Sequence, residues 1–395
     1  MKKLNGFGVS WFFAPYVGSA DIDFFKRIKN TDISYVIVQV ARDKRDDQIM
    51  RYTGPADIER IEIAADHKNP RTSAARRTFV DGVLAAFEKS DRAFDFIISH
   101  SNELISHEAA ARIKKKHPDL PWIAYFGDLF SRNPYISHMP GYPLVQDDTL
   151  IEQQTLRDAD MIMLNNEYQR DLMFAGDMAK HVGKSVVIPH CFDPAMYHGN
   201  VKADNGKFIF AHLGTLYHVK RTATPVLQAV DRLLEIYPEY RDKFEVRFFG
   251  GSPYPADIEM HRNMRFREHV RFEPPVSYMS SLLLMQQADV LLLIDGMFNE
   301  QEDSLSVNPF FPGKLADYMG AGKPIAAVTM AAGPTADILS RSRNLIADLR
   351  TDRIAYVMKR YLDGKVQPDF TVYKDYSIDV IAPKMEQAIR SIVKS

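Results

Sequence analysis

Short apolar runs alternate with longer amphipathic stretches from one end of the chain to the other. FGVSWFF (residues 7–13), ISYVIVQVA (33–41), IERIEIA (58–64), FDFIIS (94–99), PWIAYF (121–126), DMIML (160–164) and SVVIPH (185–190) read as strands. Between them, DIDFFKRIK (21–29), residues 73–89 and ELISHEAAARIKKK (103–116) read as helices, the second with Val80, Val83, Leu84 and Phe87 on one face. Ser19 or Asp21 is expected to cap the first. Strand and helix alternating in this way argue for parallel α/β architecture. The series fills one domain of about 190 residues, an ordinary size.

A second α/β series follows the polar stretch VKADNGK (201–207). KFIFAHLG (207–214), FEVRFFGG (244–251), HVRF (269–272), ADVLLLI (288–294) and PIAAV (324–328) are its strands, each separated by a helical stretch. Val226, Leu227, Val230, Leu233 and Leu234 form one helical stripe; Ile381, Met385, Ile389 and Ile392 form another in the last helix, 379–393. The stretch SVNPFFPGKLADYMGAGKPIAA (306–327) carries the sharpest punctuation. Pro312 and Gly313 open a short helix, and Leu315, Tyr318 and Met319 share its buried face. Gly322 supplies a left-handed stop and Pro324 forbids continuation. A helix start between two buried strands is an anion site through its free N–H groups and dipole, and Lys314 adds a charge there. The plain alternative is an ordinary β-α-β unit with a surface lysine.

Composition narrows the function classes. The 395 residues give room for two or three domains, and 46% hydrophobic with 26% charged residues is ordinary for a soluble globular protein. A formal net charge of -1 offers no basic field for nucleic acid. Cys191, the lone cysteine, rules out an internal disulfide and fits a reducing compartment. The opening MKKLNGFGVSWFFAPYVG is too broken for a signal peptide, and no stretch reaches the roughly 18 apolar residues of a membrane span. A cytoplasmic location is expected, with peripheral contact at the inner membrane face left open.

Most motif-like stretches carry no chemistry. HEAAAR (107–112) lacks the second histidine of a zinc helix, and GAGKP (320–324) lacks the glycine spacing and following Ser or Thr of a P-loop. DID (21–23) is read as helix-capping carboxylates, and DAD (158–160) as a helix-to-strand junction. No G-x-G-x-x-G follows a strand, so dinucleotide binding has little support. One pairing survives. AHLGTLYHVKRT (211–222) puts a glycine turn after a strand and Lys220-Arg221 at the start of a long helix. Together with Lys314, two cationic helix N-termini facing one pocket would suit a diphosphate without a metal. The alternative is that Lys220 and Arg221 are simply solvated.

Taken together, these segments resemble the nucleotide-sugar glycosyltransferases of the GT-B fold, close to the large retaining family four. GTLYHVKR (214–221) resembles the family's phosphate loop, and HVRFEPPVSYMSSLLLMQQADVLLLI (269–294) the segment beside the nucleotide base. PFFPGKLADYMGAGKPIA (309–326) resembles its donor segment, APYVGSAD (14–21) its first glycine loop, and IPHCFDPAMY (188–197) its hinge strand. The resemblance covers nearly the whole chain and is firmest over 207–330. Departures stand out. The family's donor segment has two glutamates with seven residues between them; here Pro309 and Asp317 occupy those positions, with Glu302 or Asp303 as substitutes for the first. Thr215 replaces a frequent arginine, leaving Lys220 as the phosphate cation, and Gly127-Asp128 stand where a histidine is usual.

The resemblance implies two Rossmann-like domains facing across a cleft: 1–195 on the acceptor side, 196–374 binding the nucleotide sugar, and a helix over 375–395 returning to the first domain. It implies transfer of a sugar from a UDP- or GDP-sugar to a hydroxyl of a glycan, lipid-linked glycan or other acceptor, as in cell-surface polysaccharide or glycoconjugate synthesis. Configuration is expected to be retained, with no metal and no cofactor beyond the donor substrate. Gly18, Gly214, Thr215, Lys220, Arg221, Val276, Pro312, Gly313, Lys314, Leu315 and Asp317 are the implied donor-binding set. Lys220 is expected to contribute more to the leaving phosphate than Lys314, and Asp317 to bind the ribose. Asp128 and His100 are the first-domain catalytic candidates, His100 equally a structural strand-end residue. The basic end RIKKKHPDLPW (112–122) is expected on the acceptor side, against anionic lipid. Competing classes are a nucleotide-sugar epimerase, which needs no acceptor, and a nonenzymatic sugar-nucleotide scaffold, which would tolerate loss of Lys220.

Overall fold

The computed structural model describes residues 2–16, 19–42, 49, 52, 57–101, 103–137, 145–197, 206–216, 220–250 and 254–393. The chain divides into two units, Met1–Cys191 with Ile378–Ser395, and Phe192–Ser377. In the first, strands β1 (Leu4–Ser10), β2 (Ile33–Val40), β3 (Ile58–Ile63), β4 (Phe96–His100), β5 (Trp122–Phe126), β6 (Met161–Leu164) and β7 (Ser185–Val187) form one parallel sheet. Its order is β3-β2-β1-β4-β5-β6-β7, so the direction of winding reverses between β1 and β4. Every residue of β2, β4 and β5 is buried, as expected for strands covered on both faces. Helices α1 (Ser19–Lys29), α2 (Ser73–Glu88) and α3 (Ile105–Lys116) connect them. Thr72 caps α2 by accepting the Ala75 N–H at 3.2 Å.

The first strand lies three residues earlier than the hydrophobic run places it. Residues 4–9 pair with 33–38 and residues 6–10 with 96–100, after which the strand ends. Trp11 and Phe13 are still fully buried, because they pack among side chains beyond the strand end. Burial alone therefore does not separate strand from apolar turn here.

The second unit contains β8 (Phe208–Leu213), β9 (Phe244–Phe249), β10 (Val270–Glu273), β11 (Val290–Ile294), β12 (Ile325–Val328) and β13 (Leu345–Ala347). Their order, β10-β9-β8-β11-β12-β13, reverses between β8 and β11. Among the described residues, β13 is the strand the sequence pattern misses: its LIA run is short and flanked by polar residues on both sides. Helices α4 (Thr224–Ile236), α5 (Pro255–Asn263), α6 (Tyr278–Gln287), α7 (Gly313–Gly320) and α8 (Thr351–Leu362) cover the sheet. The expected stripe of α4 meets Phe210, Val246, Leu292 and Met358 in one core. The last helix, α9 (Ile378–Ile392), returns to the first unit. Its Glu386 accepts the Asp32 N–H at 2.8 Å, and Arg390 donates to the carbonyls of Lys2 and Asp32.

Two expectations change. The basic end of α3 leads into the start of β5, so it lies at the opposite sheet edge from the strand C-termini, not beside them. In that end Lys114 is ion-paired with Asp160, Lys116 with Glu88 and Arg112 with Glu108. Asp23 of the DID stretch is not a cap. It lies 2.6 Å from Arg27 and 2.7 Å from His190 Nδ1, and its carboxylate also accepts the Cys191 N–H. The Arg27 guanidinium stacks on the Tyr125 ring and donates to the Ile188 carbonyl. Lys26 donates to the Cys191 carbonyl at 2.7 Å, so α1 holds the segment that ends the unit.

Burial opposes charging Asp23, but Arg27 and His190 outweigh it and hold the carboxyl well below its ordinary range. Removing one member of a buried pair strands the other in a dry interior. We expect Asp23→Ala to cost about 3–5 kcal/mol, measured as a lower urea midpoint with unchanged slope.

Candidate functional site

Where the winding of a parallel sheet reverses, the loops leaving the two central strands turn opposite ways and open a crevice at their C-terminal ends. In the second unit those strands are β8 and β11. The chain leaves β8 at Gly214, with φ +122, a conformation that side chains rarely adopt. A Cβ there would also stand 2.8 Å from Lys314 Nζ, and a Cβ on Gly250 would stand 2.1 Å from the Gly214 carbonyl oxygen. The turn is thus built of bare backbone packed between β9 and α7. Thr215 follows it, exposed.

Lys314 reaches this turn from the first residues of α7. Pro312 precedes the helix and no side chain caps it; Leu315 N–H returns to the Pro312 carbonyl at 2.8 Å. Tyr318, one turn on, accepts the Leu213 N–H at 2.8 Å and so pins α7 to the end of β8. The Lys314 ammonium lies 3.4 Å from His212 Nε2, while His212 Nδ1 lies 2.9 Å from the Leu292 carbonyl. Since a carbonyl only accepts, Nδ1 carries the hydrogen and Nε2 presents a lone pair to Lys314. Burial pushes the lysine pKa well down, and Arg221 pushes it further against the opposing pull of Asp295. Lys314 as a whole is half-buried.

The other two cations are already partnered. Lys220 lies 2.7 Å from Asp303, whose side chain is fully buried, and 3.5 Å from the exposed Glu302. Arg221 lies 3.2 Å from Asp295, whose second oxygen accepts from Thr335. Met297 N–H donates to the Lys220 carbonyl, so the loop after β11 grips Lys220 by both backbone and side chain. The expected pairing of two cationic helix starts is corrected here. Helix α4 begins at Thr224, not at Lys220. Its Thr224 N–H and hydroxyl both bind Asp257, Pro225 has no N–H, and Val226 N–H bonds to the Ala223 carbonyl. Among the described residues, the first three positions of that helix therefore offer no free backbone donor.

Asp317 is buried, and its Oδ1 accepts the Tyr278 hydroxyl at 2.8 Å. Val276 is exposed just before α6. Pro312 and Gly313 stand half-buried at the start of α7, whereas Leu315 is core: its side chain is fully buried and its N–H is taken by Pro312. Gly18 lies outside the described residues. Sequence reasoning missed His212, Asp257 and Asp295. Only Asp295 had a local sign, a carboxylate ending an apolar strand; the other two act across the fold.

The first unit has its own reversal, between β1 and β4, and His100 ends β4 there. Ser10 Oγ lies 2.5 Å from the Phe12 carbonyl and 3.1 Å from His100 Nδ1. The hydroxyl gives its proton to the carbonyl, so it accepts from Nδ1–H. The ring is stacked against Phe24 and Tyr125, and burial pushes its pKa down to about 3. His100 is therefore a neutral hydrogen-bonding group rather than a strong base. Asp128 is exposed just beyond β5.

No protein-family model matches the chain, and no curated protein does. Among solved structures, the chain is similar to HepE from Anabaena in complex with UDP-glucose. Identity is 12%, with 98% of this chain and 100% of that one covered at a TM-score of 0.68. It is similar to sucrose-phosphate synthase from Thermosynechococcus elongatus at 13% identity, covering 99% of each chain with a TM-score of 0.66. It is also similar to a UDP-N-acetylglucosamine 2-epimerase at 13% identity, covering 99% of this chain and 97% of that one with a TM-score of 0.59. At such identities the likeness establishes the fold, the GT-B class of paired Rossmann-like domains.

The buried histidines make a pH prediction. His100 and His107 are pushed to about 3 by burial, and His212 well below the ordinary 6.5. Below 6.5 the unfolded chain binds protons that these folded sites refuse, so their stabilisation is full above that value and lost as pH falls toward 3. Each can remove up to about 1.4 kcal/mol per pH unit. Glu103, raised to about 7 by burial, and Glu152, also raised by burial, work the opposite way over part of that window. Three histidines outweigh two carboxyls, so the urea midpoint should fall between pH 6.5 and about pH 5.

Proposed function

We propose that the protein moves a sugar from a nucleotide diphosphate sugar to an acceptor hydroxyl. One observation carries this reading: Lys314 stands against the bare Gly214 turn at the reversal of the second sheet, with no side chain between. A diphosphate approaching that turn would meet backbone N–H groups, the start of α7 and the Lys314 nitrogen. The solved structure of HepE with UDP-glucose and that of sucrose-phosphate synthase support the same chemical class.

The roles then follow from placement. Lys314 and the N-terminal N–H groups of α7 take the charge that gathers on the leaving phosphate. Asp317, steadied by Tyr278, accepts from the ribose hydroxyls. Val276 and Thr215, both exposed, line the approach of base and phosphate. Lys220 and Arg221 act second, because Asp303 and Asp295 already balance them. Glu302 or Asp303 stands in for the carboxylate missing at Pro309. In the first unit, Asp128 is offered to the acceptor and His100 to hydrogen bonding. The proposed donor is a UDP- or GDP-sugar and the acceptor a glycan or glycoconjugate hydroxyl. Retention of configuration and independence of metal belong to the same proposal.

Donors are found by thermal shift with nucleoside diphosphates and their sugars, since a ligand of the native state raises Tm. Product formation that requires an added acceptor separates transfer from epimerisation. Lys314→Ala should lower kcat about a hundredfold, on the order of 3 kcal/mol, because its charge matters most as the glycosidic bond breaks. Lys220→Ala should cost less. Asp317→Ala should raise the donor KM with kcat nearly kept, and chelator should change nothing. Wild-type kcat and KM in folded Lys314→Ala would remove the phosphate assignment.

A further inference from the structure

The surroundings of Lys314 differ from those of every cation beside it. Lys220 and Arg221 each face a buried carboxylate within 3.2 Å. Among the described residues no carboxylate forms an ion pair with Lys314; its hydrogen-bond partner is the His212 Nε2 lone pair. His212 cannot turn to offer anything else, because its Nδ1–H is fixed on the Leu292 carbonyl. The charged and titratable groups acting on the Lys314 nitrogen are His212 on β8, Arg221 ahead of α4 and Asp295 after β11; its own helix also carries Asp317, bonded to Tyr278, and Tyr318, bonded to Leu213. Asp295 spends its oxygens on Arg221, Gly296 N–H and Thr335. The nearest full positive charge, Arg221, is repulsive.

We propose that binding of a nucleotide sugar at the Gly214 turn draws one proton from solvent onto the Lys314–His212 pair, so that this corner becomes cationic only when its anion arrives. The inference rests on the donor-site reading above. The balance is simple: bulk buffer gives the proton, the Lys314 amine takes it, and the donor's negative charge replaces the missing carboxylate. Burial and the neighbouring Arg221 both make the Lys314 amine harder to protonate than an ordinary lysine. A diphosphate reverses that preference. Binding then takes up a proton wherever the pH lies between the lysine's free and bound pKa values, and affinity falls as pH rises through that interval. His212 is a positioning residue here. Held neutral, it keeps Nε2 as an acceptor and aims the lysine nitrogen at the turn without adding a second charge.

A diphosphate diester such as UDP-glucose or GDP-mannose has no proton of its own to exchange near neutral pH, so it reports only on the protein. The test is calorimetric titration of the full chain with each of these two donors, in buffers of different ionisation enthalpy. The wild type should take up a proton as the donor binds. Its apparent Kd should rise with pH by at most about tenfold per unit, the limit for one proton. Lys314→Arg keeps a charge that cannot leave, so it should bind with no proton uptake and a flat pH profile. Lys314→Met should bind more weakly, also with none. Wild-type binding with zero uptake, or full uptake retained in Lys314→Met, overturns the proposal while leaving the donor site intact. Failure of both donors and of UDP and GDP to bind the folded wild type instead brings down the donor-site reading, and this inference with it.

Discussion

Lys314 lies so close to Gly214 that a Cβ at that position would come within 2.8 Å of its nitrogen. The second unit's organisation follows from that contact. Gly214 and Gly250 are bare so that backbone, lysine and neighbouring turn can occupy one small volume. Tyr318 ties the helix carrying Lys314 to the end of β8, and His212 supplies an acceptor beneath it. Substituting Gly214 with alanine would meet both an unfavourable φ and the lysine, two penalties that add to about 1–3 kcal/mol or more.

Around that contact the charges are arranged unequally. Two cations are neutralised by buried carboxylates on the loop after β11, and the third is not. Buried ion pairs cost desolvation and contribute little net stability, but they hold a loop in one place. The Asp303–Lys220 and Asp295–Arg221 pairs fasten the β11 loop to the segment ahead of α4. The same logic appears in the first unit, where Asp23, Arg27 and His190 fasten α1 to the segment ending at Cys191. In both units the polar interior joins a helix or loop to the C-terminal edge of a sheet.

Much of this was legible in the chain. Short apolar runs mark twelve of the thirteen strands among the described residues, because buried parallel strands are continuous apolar blocks. Pro312, Gly313 and Gly322 mark the bounds of α7 because each has a backbone preference that acts locally. What stayed hidden is made of long-range pairs. Nothing near Lys220 announces Asp303, and nothing near Thr224 announces that Asp257 fills its helix start. Asp23 read as a cap because helix-start carboxylates usually are; the deciding partners are Arg27, four residues on, and His190, brought close only by the sheet. Leu315 read as a ligand contact through its neighbours, but a helical period places it inward.

The most direct test of the donor site is hydrogen-exchange mass spectrometry of the full chain with and without saturating UDP or GDP. Protection is expected in peptides covering 206–216, 220–223, 295–303 and 306–316, the segments that meet at the C-terminal ends of β8 and β11. Protection confined to the first unit, with those segments unchanged by a bound nucleotide, would contradict the placement of the donor at the Gly214 turn.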